Sequence, residues 1–521
     1  MPCRSALLHF PPPESQPPPM AELPDDLYLA IFNFLDLKDL LHVRMANKKC
    51  FRMSQAAGLW RPLLRTLMVR NSLPVPRLRG TNLDDLSGPE LEHLVKHAFE
   101  LHRNWKSPFP VTKGVSTLKA FDPGRIIFLE FLRRRECSWL VSVSARVEPA
   151  RQRWYTLECW DIKDTPICIA HMEFHQFLSI ALNQNINGEN TADIAIQAPF
   201  ITTYIVRPSP ADPEAGLCPA TQFSEREERL HLFCGTRMVT SSTQDHRLLA
   251  WDTRFPQRSF ELHNPGLAAG QPNLPVIATM SYGLYIIVIR QGTCGLYAVP
   301  DVELGGGSPV GPRAVQPLSE HAWPWRVDTV VLSPPAPTLP GRSSPLPPRI
   351  SILVRFQSGF PWPINLLHLF ELHPNPGYEE GTVAFDRNPP STIPYQFPPV
   401  LRQTIAAPLR LLAHTAMALG SHGTAVWIDS HTEDYLEHAG EGQRLASRAS
   451  SSLLTSRDEE GDGQDGSLEG ELSDHVATTL EASVLCWNES QRWVMLAVDE
   501  EEGKVALGHM DGSEITLLSF V

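Results

Sequence analysis

The chain is 521 residues long, 42% hydrophobic and 20% charged, and its 45 basic against 58 acidic side chains leave a net charge of −13. Length alone points to two or more domains, the apolar share excludes global disorder, and the charge balance argues against nucleic acid or an anionic membrane as a non-specific partner. The 48 prolines gather in clusters, which marks linkers and long loops.

Residues 1–19 contain PPPESQPPP and cannot pack, so a disordered leader is expected there. The next stretch, Leu23 to Trp60, is the one that announces a job. Pro24 disfavours helix for the residue before it and suits a first helical turn. Leu27, Ile31, Phe34 and Leu35 then recur at helical spacing. Asp36 and Asp39 are placed to cap a second helix carrying Leu40, Leu41 and Val43. A third helical segment is expected to end near Gly58, with Phe51 and Trp60 as large anchors. Helices this short are marginal alone and must bury their stripes against one another or a partner.

The order Leu23-Pro24, Asp25-Asp26, Leu27, Ile31, Phe34-Leu35, Asp39-Leu40, Val43, Lys48, Phe51 and Leu59-Trp60 resembles an F-box. This is the helical module through which substrate receptors attach to the Skp adaptor of cullin-RING ubiquitin ligases. Asn47-Lys48-Lys49-Cys50-Phe51 matches the family's third helix only loosely. The resemblance implies an F-box over residues 20–65 that docks on the Skp adaptor. A cullin and a RING subunit would complete the ligase and perform the transfer. It further implies that Leu23, Pro24, Leu27, Ile31, Leu35, Leu40, Val43, Phe51 and Trp60 supply the docking surface or the packing that shapes it.

Residues 66–106 read as a helical linker. Ser87-Gly88-Pro89-Glu90 has capping-box spacing, and Leu91, Leu94, Val95, Ala98, Leu101, His102 and Trp105 trace one face of a helix from Ser87 to about Trp105. That helix would hold the next domain at a set distance from the F-box. His93, His97 and His102 lack a third ligand at suitable spacing for zinc.

From Lys106 the apolar period changes from 3.6 to 2, so residues 107–521 are expected to be all-β. Strand-like runs include Ile194 to Ile205, Leu230 to Val239, Val276 to Ile289, Ile350 to Phe356 and Leu366 to Leu372. A domain this long grows more readily by adding propeller blades than as a sandwich. Trp160-Asp161, Trp251-Asp252 and, more loosely, Trp427-Ile428-Asp429 resemble the third-strand mark of WD repeats, although the Gly-His dipeptide is missing. Their spacing of two and then four blade lengths implies six to eight blades. The expected fold class is therefore α+β and multidomain: a small all-α F-box and linker helix, then a large β-propeller.

Two interruptions are expected within it: a proline-rich loop over 332–348 and a disordered acidic insertion over 437–475 in which Thr455 and Ser456 would suit an acid-directed kinase. The nine cysteines lie at 3, 50, 137, 159, 168, 218, 234, 294 and 486 with no Cys-x-x-Cys pair. They read as reduced thiols of a cytoplasmic or nuclear protein. No phosphate loop, nucleophile elbow or His-Glu-x-x-His motif is present, so no enzyme, metal or cofactor is expected. The partners implied are the Skp adaptor with its ligase and a protein substrate; the alternative is a scaffold using the same two platforms outside a ligase.

Overall fold

The computed structural model describes residues 23–69, 73–76, 83–133, 138–148, 152–185, 191–223, 228–242, 245–264, 273–299, 312–334, 346–357, 366–379, 393–406, 416–430, 442–449, 479–488, 492–512 and 514–521. The chain divides into two compact units, residues 1–71 with 81–96, and 72–80 with 97–521.

The first unit is helical. Helix α1 (Asp25–Phe32) starts behind Pro24, whose carbonyl accepts the Leu27 and Tyr28 amides. Helix α2 (Leu37–Arg44) is capped by Asp36, which accepts the Asp39 amide at 2.7 Å. Helix α3 (Lys48–Met53) is capped by Asn47, which accepts the Cys50 amide at 2.7 Å. The expected third segment ending at Gly58 is two helices. The chain turns at Ser54 to Ala56, and Gly58 lies in the first turn of α4 (Ala57–Val69), which continues through Pro62. The turn is fixed by Trp60, whose indole nitrogen donates to the Ser54 carbonyl at 2.6 Å. Helix α5 (Gly88–Lys106) opens with the anticipated box: Glu90 Oε2 accepts the Ser87 amide at 2.8 Å and its hydroxyl at 2.6 Å.

The second unit carries seven antiparallel sheets. Blade 1 is Arg125–Arg133, Ser138–Val147, Arg153–Asp161 and Ile167–Phe174. Blade 2 is Ser179–Leu182, Ile194–Gln197, Ile201–Val206 and Leu217–Phe223. Blade 3 is Glu228–Cys234, Arg237–Ser242, Leu248–Asp252 and Phe255–Leu262; blade 4 is Val276–Tyr282, Tyr285–Arg290, Thr293–Ala298 and Ser319–Ala322. Blade 5 is Val327–Leu332, Ile350–Phe356, Leu366–Leu372 and Val400–Ala406; blade 6 is Met417–Leu419, Ala425–Ser430, Gln443–Arg448 and Ser483–Asn488. Blade 7 takes three strands from the end of the chain, Trp493–Asp499, Lys504–His509 and Glu514–Ser519, and its outermost from the start of the unit, Gly114–Lys119. Each seam between neighbouring blades has its own apolar cluster, including the seam between blades 7 and 1, where Leu118, Ile126 and Ile515 meet. The ring is therefore a closed seven-bladed propeller. The last turns of α5 are part of this core, with Leu101 and Trp105 in the seam between blades 6 and 7 and the Trp105 and Phe520 rings 4.7 Å apart.

Several expectations change in detail. Trp160 and Trp251 lie in third strands two blades apart, as read, but Trp427 lies in the second strand of blade 6, three blades beyond Trp251 rather than four. Blade 5 consumes the missing length in its long connections. The 437–475 insertion contains a strand, Gln443–Arg448, because Leu445 and Ala446 are fully buried there and the flanking Arg444 is neutralised by Asp429 at 2.8 Å. Residues 437–441 and 450–475 of that insertion, Thr455 and Ser456 included, lie outside the described residues, as do the 1–19 leader and residues 335–345 of the proline-rich loop. Two blades gain a fifth strand in parallel at their outer edge: Arg313–Val315 on blade 3 and Thr479–Glu481 on blade 5.

Candidate functional site

The side chains of the sequence motif separate into two classes in the first unit. Leu40 and Trp60, at 1% and 0% exposure, are core, together with Tyr28, Phe32, Cys50, Met53 and Leu64. Leu23, Leu35 and Val43 are half-buried. Pro24, Leu27, Ile31 and Phe51 are exposed. Pro24, Leu27 and Ile31 follow one another at three and four residues, so they share a side of α1, and Phe34 continues that line past the helix end. Phe34 is 91% exposed and Met45, after α2, is 77% exposed. Apolar side chains exposed together in this way, among the described residues, make this surface the candidate interaction site of the unit.

The scaffold beneath it is held by two cations. Arg44 grips Glu92 with both terminal nitrogens at 2.6 Å, donates from Nε to the Ser54 hydroxyl at 2.8 Å, and lies over the rings of Phe51 and Trp60 at 5.6 and 6.0 Å. Burial alone would raise the Glu92 carboxyl, but its bonds to Arg44 and Lys96 outweigh that and hold it below its usual 4.5. Lys49 ties α3 to α1, donating to the Leu23 carbonyl at 2.5 Å and standing 4.8 Å from the Tyr28 ring. The sequence reading missed Arg44, Glu92 and Met45. Only Arg44 left a trace there, as a cation in the last turn of α2.

In the propeller, one cavity of about 390 Å³ is bounded by all seven innermost strands, with Glu130, Leu182, His231, Thr279, Val331, Ala418 and Ala497 each from a different blade. His231 shares a hydrogen bond with the Ser241 hydroxyl at 2.7 Å, and burial pushes its imidazole down to about 3, so it is neutral at physiological pH. Among the described residues, no group of three or more His, Cys, Asp or Glu is arranged to hold a metal ion, and the seven cysteines described are unpaired. The Trp-Asp pairs are structural. Trp251 donates to Thr240 at 3.1 Å, and Trp427 donates to Asp429 at 2.8 Å.

Comparison with known proteins places residues 20–62 within the F-box domain family. No curated protein matches the chain. Among solved structures, the β-propeller domain of Cps50 (Swd1) from Myceliophteria thermophila aligns with 12% identity and a TM-score of 0.43, covering 78% of this chain and 99% of that one. Hsv2 from Kluyvelomyces marxianus aligns with 9% identity and a TM-score of 0.29, covering 64% of this chain and 89% of that one. The propeller assignment itself rests on the seven sheets and the seams that close them. The chain thus carries an F-box domain at residues 20–62, followed in sequence by a seven-bladed β-propeller.

Proposed function

We propose that this chain is the non-catalytic substrate-receptor subunit of a Skp-cullin-F-box ubiquitin ligase, acting in the cytoplasm or nucleus. Its F-box would dock on the Skp adaptor, and its propeller would present a bound protein to the charged E2 held by the other subunits. The observation that carries this reading is the exposed line Pro24, Leu27, Ile31 and Phe34 on a module of the F-box family. Phe51 and the half-buried Leu23, Leu35 and Val43 would extend the contact, while Leu40 and Trp60, being buried, would shape it from beneath. Burying a few such side chains at about 25 cal/mol per Å² supplies enough driving force for tight association.

Co-purification tests it. Leu27→Asp and Ile31→Asp alter exposed positions, so both variants should keep the wild-type melting profile and lose the adaptor. Retention of the adaptor by both would refute the docking surface. Recovery of the adaptor without any cullin would instead favour a scaffold acting outside a ligase.

A further inference from the structure

The innermost strand of blade 1, Arg125–Arg133, carries a carboxylate at mid-strand, Glu130. Its neighbours Leu129 and Phe131 are 5% and 4% exposed and pack in the seam with blade 7, whereas Glu130 is exposed and lines the central cavity. At about 390 Å³ that cavity can hold a small ligand or one long side chain. Its wall carries little charge. Among the described residues that line it, none is a lysine or arginine, and the only other titratable side chain, His231, is neutral. Two further polar side chains on the wall are engaged within the protein: Asn183 Oδ1 accepts the Asn185 and Gly235 amides at 2.9 and 2.8 Å, and the Thr279 hydroxyl donates to the His231 carbonyl at 3.0 Å. Most of the remainder is apolar, with the adaptable thioethers of Met280 and Met417 among it. A negative charge in a recess with apolar walls concentrates its field there and favours a cation.

We propose that the central cavity binds an organic cation carried on an apolar stem, an alkylammonium of the size of a lysine side chain, with Glu130 as its counter-charge. The stem would lie against the apolar wall to which Met280 and Met417 belong. A metal ion fits poorly, because one carboxylate is too few ligands and, among the described residues, no group of three His, Cys, Asp or Glu is arranged to supply more. An anion would meet the charge of Glu130 with no cationic side chain on the described wall to offset it. The proposal is independent of adaptor docking, which depends on Leu27 and Ile31.

The test titrates the full chain with n-butylammonium, n-butanol and butyrate. Butylammonium should saturate, bind more tightly than butanol and far more tightly than butyrate, and shift the methyl resonances of isotope-labelled Met280 and Met417. Glu130→Gln keeps the shape of an exposed side chain, so it should melt as the wild type does and bind butylammonium about tenfold more weakly. Glu130→Lys should reverse the preference in favour of butyrate. The methionine shifts are read on the unaltered chain and so do not depend on how either variant folds. A short glycine-serine peptide bearing one lysine, compared with the same peptide acetylated on that lysine, separates the two sources of the cation. If only the unmodified peptide binds, the cation is a partner protein's side chain; if butylammonium binds and neither peptide does, it is a free amine. Four results would each overturn the proposal: no saturable binding of butylammonium, equal binding of the three small probes, indifference to Glu130→Gln in a normally melting variant, or saturation that leaves the Met280 and Met417 methyls unmoved.

Discussion

Glu158, in the third strand of blade 1, is 1% exposed and accepts the Phe121 amide at 2.7 Å. Burial pushes its carboxyl up to about 7 from 4.5, although hydrogen bonds from Phe121 and Ser142 pull the other way. Because the folded value is the higher one, the protonated carboxyl favours the fold. That contribution is complete below about 4.5, shrinks as pH rises towards 7 and is gone above it. Glu158→Gln keeps an acceptor without the charge. Its melting temperature should therefore gain on the wild type as pH climbs through this window and then hold a constant lead worth at most about 3 kcal/mol. Asp429 poses the opposite case, a fully buried carboxylate satisfied by Arg444 at 2.8 Å and by the Trp427 indole at 2.8 Å. Asp429→Ala should cost about 3–5 kcal/mol in denaturant unfolding by stranding Arg444, whereas Asp429→Leu combined with Arg444→Met should recover much of the loss. Neither pair could be found by spacing alone, since Asp429 and Arg444 meet only across two strands in register.

Local chemistry settled the helices. Asp36, Ser87 and Glu90 were placed correctly from sequence because a cap acts within one turn of its own helix. Asn47 is the cap the loose family match obscured, and Asn47→Ala should destabilise α3 by about 1 kcal/mol, read as faster amide exchange over Lys48–Met53. Strands were legible wherever β-branched runs stop at a polar break; Ile350–Phe356 and Leu366–Leu372 have the bounds the sequence suggested. Runs without such a break hid their turns. Leu230 to Val239 and Val276 to Ile289 each fold into a hairpin at Gly235 and Gly283, whose φ values of 62° and 55° suit glycine in a tight turn. The polar strand Gly114–Lys119 left no periodic signal, because its pairing with Glu514–Ser519 rather than its own burial defines it.

At the scale of the whole molecule, the sequence conveyed a small helical F-box followed by a propeller of six to eight blades, and the structure fixed the number of blades at seven. The shared side of Leu27 and Ile31 on α1 was legible because helical spacing is local. The burial of Leu40 and Trp60 was not, because it depends on how four helices pack. The way the ring closes also sets a timetable for synthesis. Gly114–Lys119 emerges early, yet its partner begins at Glu514, so 514 − 119 = 395 residues must follow before the pair can form. At 5–20 residues per second the first strand of the pair waits roughly 20–80 s with Leu118, which the closed ring buries against Ile515, uncovered. Ribosome-bound chains halted short of residue 514 should therefore recruit chaperones that the completed chain no longer needs.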